Sequence, residues 1–291
     1  MPELPEVQTT VNGLKPKVLN GTFVDVWSDW KKLVKKPKDF EQFKKEVKNK
    51  KIIKIWRRAK NIIFDLSGGY SLLIHQKMTG HLLVGKWKQN GANWTPEKPG
   101  PLSDPYNRFL HIIFFLNNGN MLALSDARKF AKIELWKSKE LLASPEFKNL
   151  GPEPLEKRFT VEKFKEVLKN KRGKIKQILM KPEIVAGIGN IYASEILWQA
   201  RVHPEKDVSK LSNKELVLIY KNIKKVLELG VKLGGESFSD YRKPDGSKGD
   251  FDDERKVYKR EGQKCHRCGT KIKRIKFGAR SAFFCPVCQV K

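Results

Sequence analysis

The sequence predicts an α+β multidomain protein: an N-terminal helix on a sandwich or barrel of short antiparallel strands, then a helical domain, then a small cysteine-bearing hairpin. Three observations carry this. Apolar runs joined by Gly- and Asn-rich turns recur through the first half. From Thr160 the apolar spacing becomes helical. All four cysteines lie at or beyond Cys265.

In chain order, Leu4, Val7, Val11 and Leu14 recur at steps of three and four, so a helix begins almost at once. Pro2 and Pro5 fall in or before its first turn, where a missing N–H costs little. Lys51 to Trp56 alternates. Asn61 to Leu66 then leads through Ser67-Gly68-Gly69 into Tyr70 to Ile74, a hairpin signal. A second hairpin joins His111–Leu116 to Met121–Leu124 through Asn117-Asn118-Gly119-Asn120. Residues 85–107, rich in Gly, Asn, Pro and Trp, read as a long loop. Gly151-Pro152-Glu153-Pro154 marks a change of texture and places a domain boundary nearby.

Thr160 is a plausible N-cap for a helix carrying Val161, Phe164, Val167 and Leu168. A second helix with Ile175, Ile178 and Leu179 must end near Lys181-Pro182, and a third spans Asn190 to Ala200. Ser212 and Glu215 form a capping box for a long amphipathic helix closed by Gly234-Gly235. Residues 237–253 are polar and Gly-rich and read as a mobile loop.

Composition narrows the partners. Lys and Arg number 60 against 32 Asp and Glu, a net charge of +28, which points to polyanions. With 39% hydrophobic and 10% aromatic residues the chain can bury real cores. No apolar run approaches the roughly 20 residues of a membrane span, and the acidic N-terminus is not a signal peptide. Cysteines confined to one end argue against a disulfide-stapled secreted protein. The expectation is a cytoplasmic nucleic-acid binder.

Cys265-x2-Cys268 and Cys285-x2-Cys288 fit the four-thiolate zinc pattern. Two knuckles fill all four positions and leave none for water, so the metal is structural. His266, between two ligands, is left as a surface residue. Between the pairs, Lys271, Lys273, Arg274, Lys276 and Arg280 among β-formers read as a basic hairpin suited to phosphates. Gly187-Ile188-Gly189-Asn190 precedes a helix and can bring backbone N–H groups to a phosphate, though an ordinary helix–helix turn would look the same.

At the other end, Pro2 becomes a secondary amine if Met1 is removed, and such an amine can attack a sugar aldehyde carbon to form an iminium. The positive end of the helix dipole disfavours its protonated form, and Glu3 is close enough in sequence to shuttle a proton. Taken alone, Pro2, Glu3, Pro5 and Glu6 are ordinary helix-start residues. Their significance comes from what accompanies them.

Pro2-Glu3-Leu4-Pro5-Glu6-Val7, Arg57-Arg58-Ala59-Lys60, Asp126-Ala127-Arg128-Lys129-Phe130, Gly151-Pro152-Glu153-Pro154, Gly187-Ile188-Gly189-Asn190-Ile191-Tyr192 and the terminal cysteines stand in one order. In that order the chain resembles the bacterial formamidopyrimidine-DNA glycosylases over its whole length. The resemblance implies an N-terminal helix on an antiparallel β-sandwich, then a helix–two-turn–helix domain ending in a zinc finger with one structural ion, with duplex DNA in the cleft between. It implies Pro2 as the nucleophile, Glu3 as the carboxylate assisting sugar opening, and Lys60 near the reacting sugar and its phosphate. Asn190 and Arg280 would hold phosphates, and Met78, Arg128 and Phe130 would fill the gap left by an extruded base.

The implied plan is a catalytic helix and sandwich over 1–135, a linker over 136–157 and a helical DNA-binding domain over 158–236. A mobile lesion-covering loop over 237–256 and the finger over 257–291 complete it. The expected activity is excision of oxidised purines with strand nicking by β- and δ-elimination, by a monomer associated with the nucleoid. The rivals are an endonuclease VIII-like preference for oxidised pyrimidines and a non-catalytic damaged-DNA-binding protein. The sequence departs from the family pattern in His75-Gln76-Lys77-Met78, in Ala131 after Phe130, and in the 85–107 and 237–253 segments.

Overall fold

The computed structural model describes residues 1–291 except Ala92, Ser239 and Ala279, which fall in the 85–107 segment, the 237–253 segment and the finger; of Phe277 it describes the backbone. The chain forms two compact units, residues 1–148 with 233–250, and residues 149–232 with 251–291.

The first unit starts with helix α1 (Leu4–Val18). Its stripe of Leu4, Val7, Val11, Leu14 and Val18 is at most 1% exposed, and burying each such side chain is worth about 1.5–3 kcal/mol. That burial fixes the helix to the sheets. Then come β1 (Phe23–Ser28), β2 (Val34–Lys36), α2 (Phe40–Val47), β3 (Ile52–Arg58), β4 (Asn61–Leu66), β5 (Tyr70–His75) and β6 (His81–Gly85). They are followed by β7 (Trp87–Asn90), β8 (Asn93–Pro96), β9 (Leu110–Leu116), β10 (Met121–Ser125), β11 (Lys132–Lys137) and the short helices α3 (Ser138–Ala143) and α4 (Pro145–Lys148).

One sheet has the order β1-β9-β10-β6 and the other β2-β11-β5-β4-β3. All pairs are antiparallel except β2 with β11. Inner-face residues of both sheets, such as Phe64, Ile74, Phe114 and Leu124, share one core with α1 and α2. Sandwich, not barrel, is therefore the outcome. Both expected hairpins are present, as β4–β5 and β9–β10.

Three segments differ from expectation. Residues 85–107 hold the β7–β8 hairpin and two 3-10 turns, Pro101–Ser103 and Pro105–Arg108. Residues 136–157 carry the end of β11 and both α3 and α4. The described part of 233–250 belongs to the first unit and buries Tyr241 and Arg242.

The second unit contains α5 (Val161–Leu168), α6 (Ile175–Leu179), α7 (Asn190–Gln199), α8 (Asn213–Lys232) and the hairpin β12 (Lys273–Phe277) with β13 (Arg280–Phe284). Thr160 caps α5 by accepting from the Lys163 N–H. Ser212 and Glu215 exchange both bonds of the capping box before α8. The Glu195 carboxylate on α7 accepts from the N–H groups of Lys256, Val257 and Tyr258, fastening the finger to that helix. Trp198, Val257, Cys265, Ile272, Phe283 and Cys285 form the small core beneath it. Among the described residues no helix is long and apolar enough to cross a membrane.

Candidate functional site

Glu3 is the N-cap of α1, and its side chain completes a capping box with Glu6. The Glu3 N–H donates to Glu6 Oε2 at 2.7 Å. Both carboxyl groups are almost fully buried at the positive end of the helix, where the dipole favours negative charge. Glu6 Oε1 also accepts the Glu236 N–H at 2.9 Å, and the Glu6 carbonyl accepts from the Tyr241 and Thr10 hydroxyls. Burial pushes the Tyr241 phenol far up, so it stays protonated as a donor. Pro2, also buried, is held directly ahead of this network.

Lys60, Met78 and Phe130 share a local device. Each follows a non-glycine residue in the left-handed region, namely Ala59 at φ 52°, Lys77 at φ 54° and Lys129 at φ 56°. Such residues cost on the order of 1–3 kcal/mol and are kept where surrounding structure dictates them. Ala59 and Lys60 make the tight turn between β3 and β4. Arg57 fixes that turn, donating through Nη1 to the Ala59 carbonyl and through Nε to Gln8 Oε1 on α1. Beside it, His75 Nδ1 accepts the Lys77 N–H at 2.9 Å. Burial, reinforced by the charges of Lys77, Lys60 and Lys132, pushes His75 down to about 3, so its ring is neutral.

Asp126 brings Met78, Arg128 and Phe130 together. It is fully buried. Its carboxylate accepts from the Thr79 hydroxyl, from the Arg128 N–H at 3.3 Å and from the Ala131 N–H at 2.7 Å. The turn bearing Met78 is thereby tied to the turn bearing Arg128 and Phe130. Met78 is 41% and Phe130 53% exposed, unusual for side chains whose apolar burial normally stabilises a fold. The Arg128 guanidinium lies 4.7 Å from the Phe130 ring centroid, giving an apolar wedge with a hydrogen-bond donor beside it.

In the second unit, Gly187 at φ 88° and the N-cap Gly189 lead into α7, whose first residue is Asn190. Asn190 Oδ1 is buried without a hydrogen-bond partner among the described residues. Arg280, exposed at the start of β13, places Nη1 3.5 Å from Met180 Sδ. The buried Lys176 of α6 donates to the Ser281 carbonyl at 2.9 Å, which fixes the hairpin base.

The ligand atoms of Cys265, Cys268, Cys285 and Cys288 all lie within 4.8 Å of one another. Tetrahedral zinc with bonds of about 2.3 Å has sulfur–sulfur edges of about 3.8 Å, so the four thiols fit one ion. Backbone N–H groups of Arg267 and Cys288 point at the Cys265 and Cys285 sulfurs, the knuckle geometry of such sites. The site holds one structural zinc. His266 is exposed and outside the cluster, as expected.

The first unit thus unites Met78, Arg128 and Phe130 and presents Pro2 with Glu3 at one helix end, while Asn190, Arg280 and the cysteines belong to the second. Sequence reasoning missed Asp126 as organiser, Glu6 as the hub of the helix start with Glu236 and Tyr241 as its distant supports, and Glu195 as the anchor of the finger. Asp126 carried a signal, standing inside a quoted motif. Tyr241 carried none.

The Formamidopyrimidine-DNA glycosylase N-terminal domain matches residues 1–133, and the Formamidopyrimidine-DNA glycosylase H2TH domain residues 150–242. The zinc finger found in FPG and IleRS matches residues 262–290. Formamidopyrimidine-DNA glycosylase from Pelotomaculum thermopropionicum is 36% identical over 289 residues, covering 99% of each chain. That of Lactococcus lactis is 36% identical over 291 residues, covering 100% of both. A Lactococcus lactis variant in complex with Fapy-dG-containing DNA superposes with TM-score 0.87 at 34% identity, covering 100% of both chains. The same species' protein with abasic-site DNA gives 0.85 at 33% identity, covering 99% of this chain and 100% of that one.

Proposed function

The chain belongs to the formamidopyrimidine-DNA glycosylase family, and from that premise we propose that Pro2, freed by removal of Met1, is the nucleophile of a bifunctional DNA glycosylase and abasic-site lyase. The substrates are oxidised purines, 8-oxoguanine and formamidopyrimidines, in duplex DNA. One observation carries the assignment: Pro2 stands buried at the positive end of α1, next to a Glu3 locked in place by Glu6.

In this reading the Pro2 nitrogen lone pair bonds to the sugar C1′ while the bond from C1′ to the base breaks. The base leaves with that electron pair and takes a proton. The sugar ring opens at O4′, which Glu3 protonates, and loss of the amine proton leaves an iminium. The iminium acidifies the C2′ hydrogens. Removal of one expels the 3′ phosphate, and a second elimination expels the 5′ phosphate. Water then hydrolyses the imine and restores Pro2.

Lys60, next to the neutral His75, supplies positive charge to the phosphate of the reacting nucleotide. Asn190 and Arg280 hold neighbouring phosphates. Met78, Arg128 and Phe130 enter the duplex where the base has left, and their contacts offset the few kcal/mol that extrusion costs. Zinc holds the finger and takes no chemical part. The protein acts as a monomer at the bacterial nucleoid.

Borohydride trapping on abasic-site duplex tests the assignment. Wild-type chain should give a covalent adduct that maps to Pro2 on proteolysis and mass spectrometry, and intact-mass measurement should show Met1 absent. A processed chain that never cross-links, or an adduct that maps to a residue other than Pro2, refutes Pro2 as nucleophile.

A further inference from the structure

Among the described residues, two of the contacts between the segment 233–250 and the rest of the first unit are polar or unusually close. One is at the start of α1. There Gly235, at φ +84°, lies so close that an added Cβ would sit 2.8 Å from Glu6 Cγ, and Glu236 and Tyr241 donate to Glu6. The other is a polar cluster on the 101–107 stretch, to which the mechanism assigns nothing.

Arg242 is the centre of that cluster. It is 1% exposed, its Nε lies 3.0 Å from Asp104 Oδ2, and its guanidinium carbon lies 4.6 Å from the Tyr106 ring centroid. Burial alone would raise the Asp104 carboxyl; the Arg242 guanidinium and the Tyr106 N–H outweigh it and hold the group below its ordinary range. Asn107 works alongside. Its Nδ2 donates to the Gly246 carbonyl at 3.1 Å and to the Pro101 carbonyl at 2.9 Å, committing both amide hydrogens. Its Oδ1 therefore accepts from His81 Nε2, 2.9 Å away. The Val84 N–H donates to the Pro244 carbonyl at 2.8 Å, and an added Cβ on Gly246 would lie 2.7 Å from the Leu102 nitrogen.

A buried arginine that loses its carboxylate is strongly destabilised, so these contacts hold or release together. Arg242 directly follows Tyr241 in the chain, so the bend cannot move at Arg242 without loosening the contact of Tyr241 with Glu6.

We propose that Asp104, Asn107 and Arg242 form a latch that pins the 240–249 bend to the sandwich, and that through Glu236, Tyr241 and Glu6 they are positioning residues for Pro2 and Glu3. The latch rests on the reading of Pro2 as nucleophile.

The test uses the full zinc-loaded chain and the variants Asp104→Ala, Arg242→Met, their double, and the milder Asn107→Ser, which leaves the ion pair intact. The first readout is the single-turnover rate of borohydride-trappable adduct formation at saturating enzyme, set against the Kd for a tetrahydrofuran-containing duplex. The second is hydrogen exchange of residues 236–249 and of the first turn of α1. Asp104→Ala and Arg242→Met should each slow the reaction about tenfold, through misplacement rather than lost contact. Kd should stay within about twofold, and the double variant should be no slower than the worse single one. Protection should fall in both segments while β4 and β5 keep theirs. Asn107→Ser should shift both readouts in the same sense, so it decides the matter if the charge variants do not fold. Unchanged rates in folded variants, or an additive double variant, overturn the latch. If wild type forms no adduct, the Pro2 assignment fails instead, and exchange alone then decides the latch: unaltered protection at the start of α1 in Asp104→Ala rejects it.

Discussion

The two ends of this chain build their functional groups in opposite ways. The zinc cluster draws its four ligands from two Cys-x2-Cys knuckles on one hairpin, and a short stretch specifies it. The start of α1 is the reverse. Its hub, Glu6, takes one partner three residues away and another 230 residues away. Local geometry makes a site that a spacing rule can find. Distant closure makes one in which the reactive residues are visible and their supports are not.

Removing zinc should sharpen that contrast most. Chelation, or Cys265→Ser, is expected to abolish duplex binding, since structural zinc contributes on the order of 10 kcal/mol or more to small finger folds. The sandwich should keep its thermal transition. Duplex titration beside calorimetry checks both, and retained affinity in metal-free chain breaks the comparison. The converse change is Gly235→Ala. It places a Cβ against Glu6 at a positive φ, a strain of about 1–3 kcal/mol. It should slow adduct formation while metal content, read by atomic absorption, stays at one zinc per chain.

Much of the architecture was legible. The stripe from Leu4 to Leu14 gave α1, the Thr160 cap gave α5, and the Ser212–Glu215 box gave α8. What escaped was short, polar or both. The β7–β8 hairpin has a turn signal in Asn90-Gly91, but strands of four residues with three exposed in β7 show no usable alternation. α2 sits in a lysine-rich stretch whose apolar Phe40, Phe43 and Val47 are easily lost among charges. Residues 237–253 read as a mobile loop because a buried arginine is rare, and the Asp104 and Tyr106 that meet Arg242 lie far away in sequence. Among candidate site residues, the proposed nucleophile and the metal ligands stand in motifs. Asp126 stands in a motif, but it ties the turn of Met78 to that of Arg128 and Phe130 through the Thr79 hydroxyl and backbone N–H groups, pairings that no residue pattern displays.

A smaller effect concerns pH. His75 has its folded value lowered from 6.5 to about 3. Between those values the unfolded chain binds a proton that the folded chain refuses, so stability is full above about 6.5 and falls as the solution is acidified. Melting temperatures at about pH 7.5 and pH 5 should differ more for wild type than for His75→Gln. An equal difference would remove His75 from the account. The least effect is expected from Arg280→Ala, which should weaken lesion-bearing and undamaged duplexes alike and lower the salt slope by about one. A loss confined to damaged duplex would mean that Arg280 reads the lesion.

The first unit is discontinuous in sequence, residues 1–148 completed by 233–250, and this orders events at birth. The amino-terminal residues leave the ribosome first, yet the Glu236 and Tyr241 donors that secure Glu6 are made only after the whole of 149–232. At about 5–20 residues per second, roughly 10–50 seconds pass between the two. On the proposed role of Pro2, that interval leaves the nascent terminus open to the peptidase that trims methionine before the amine is seated in the arrangement that would make it a good trap for aldehydes. Synthesis order alone therefore lets processing precede activation.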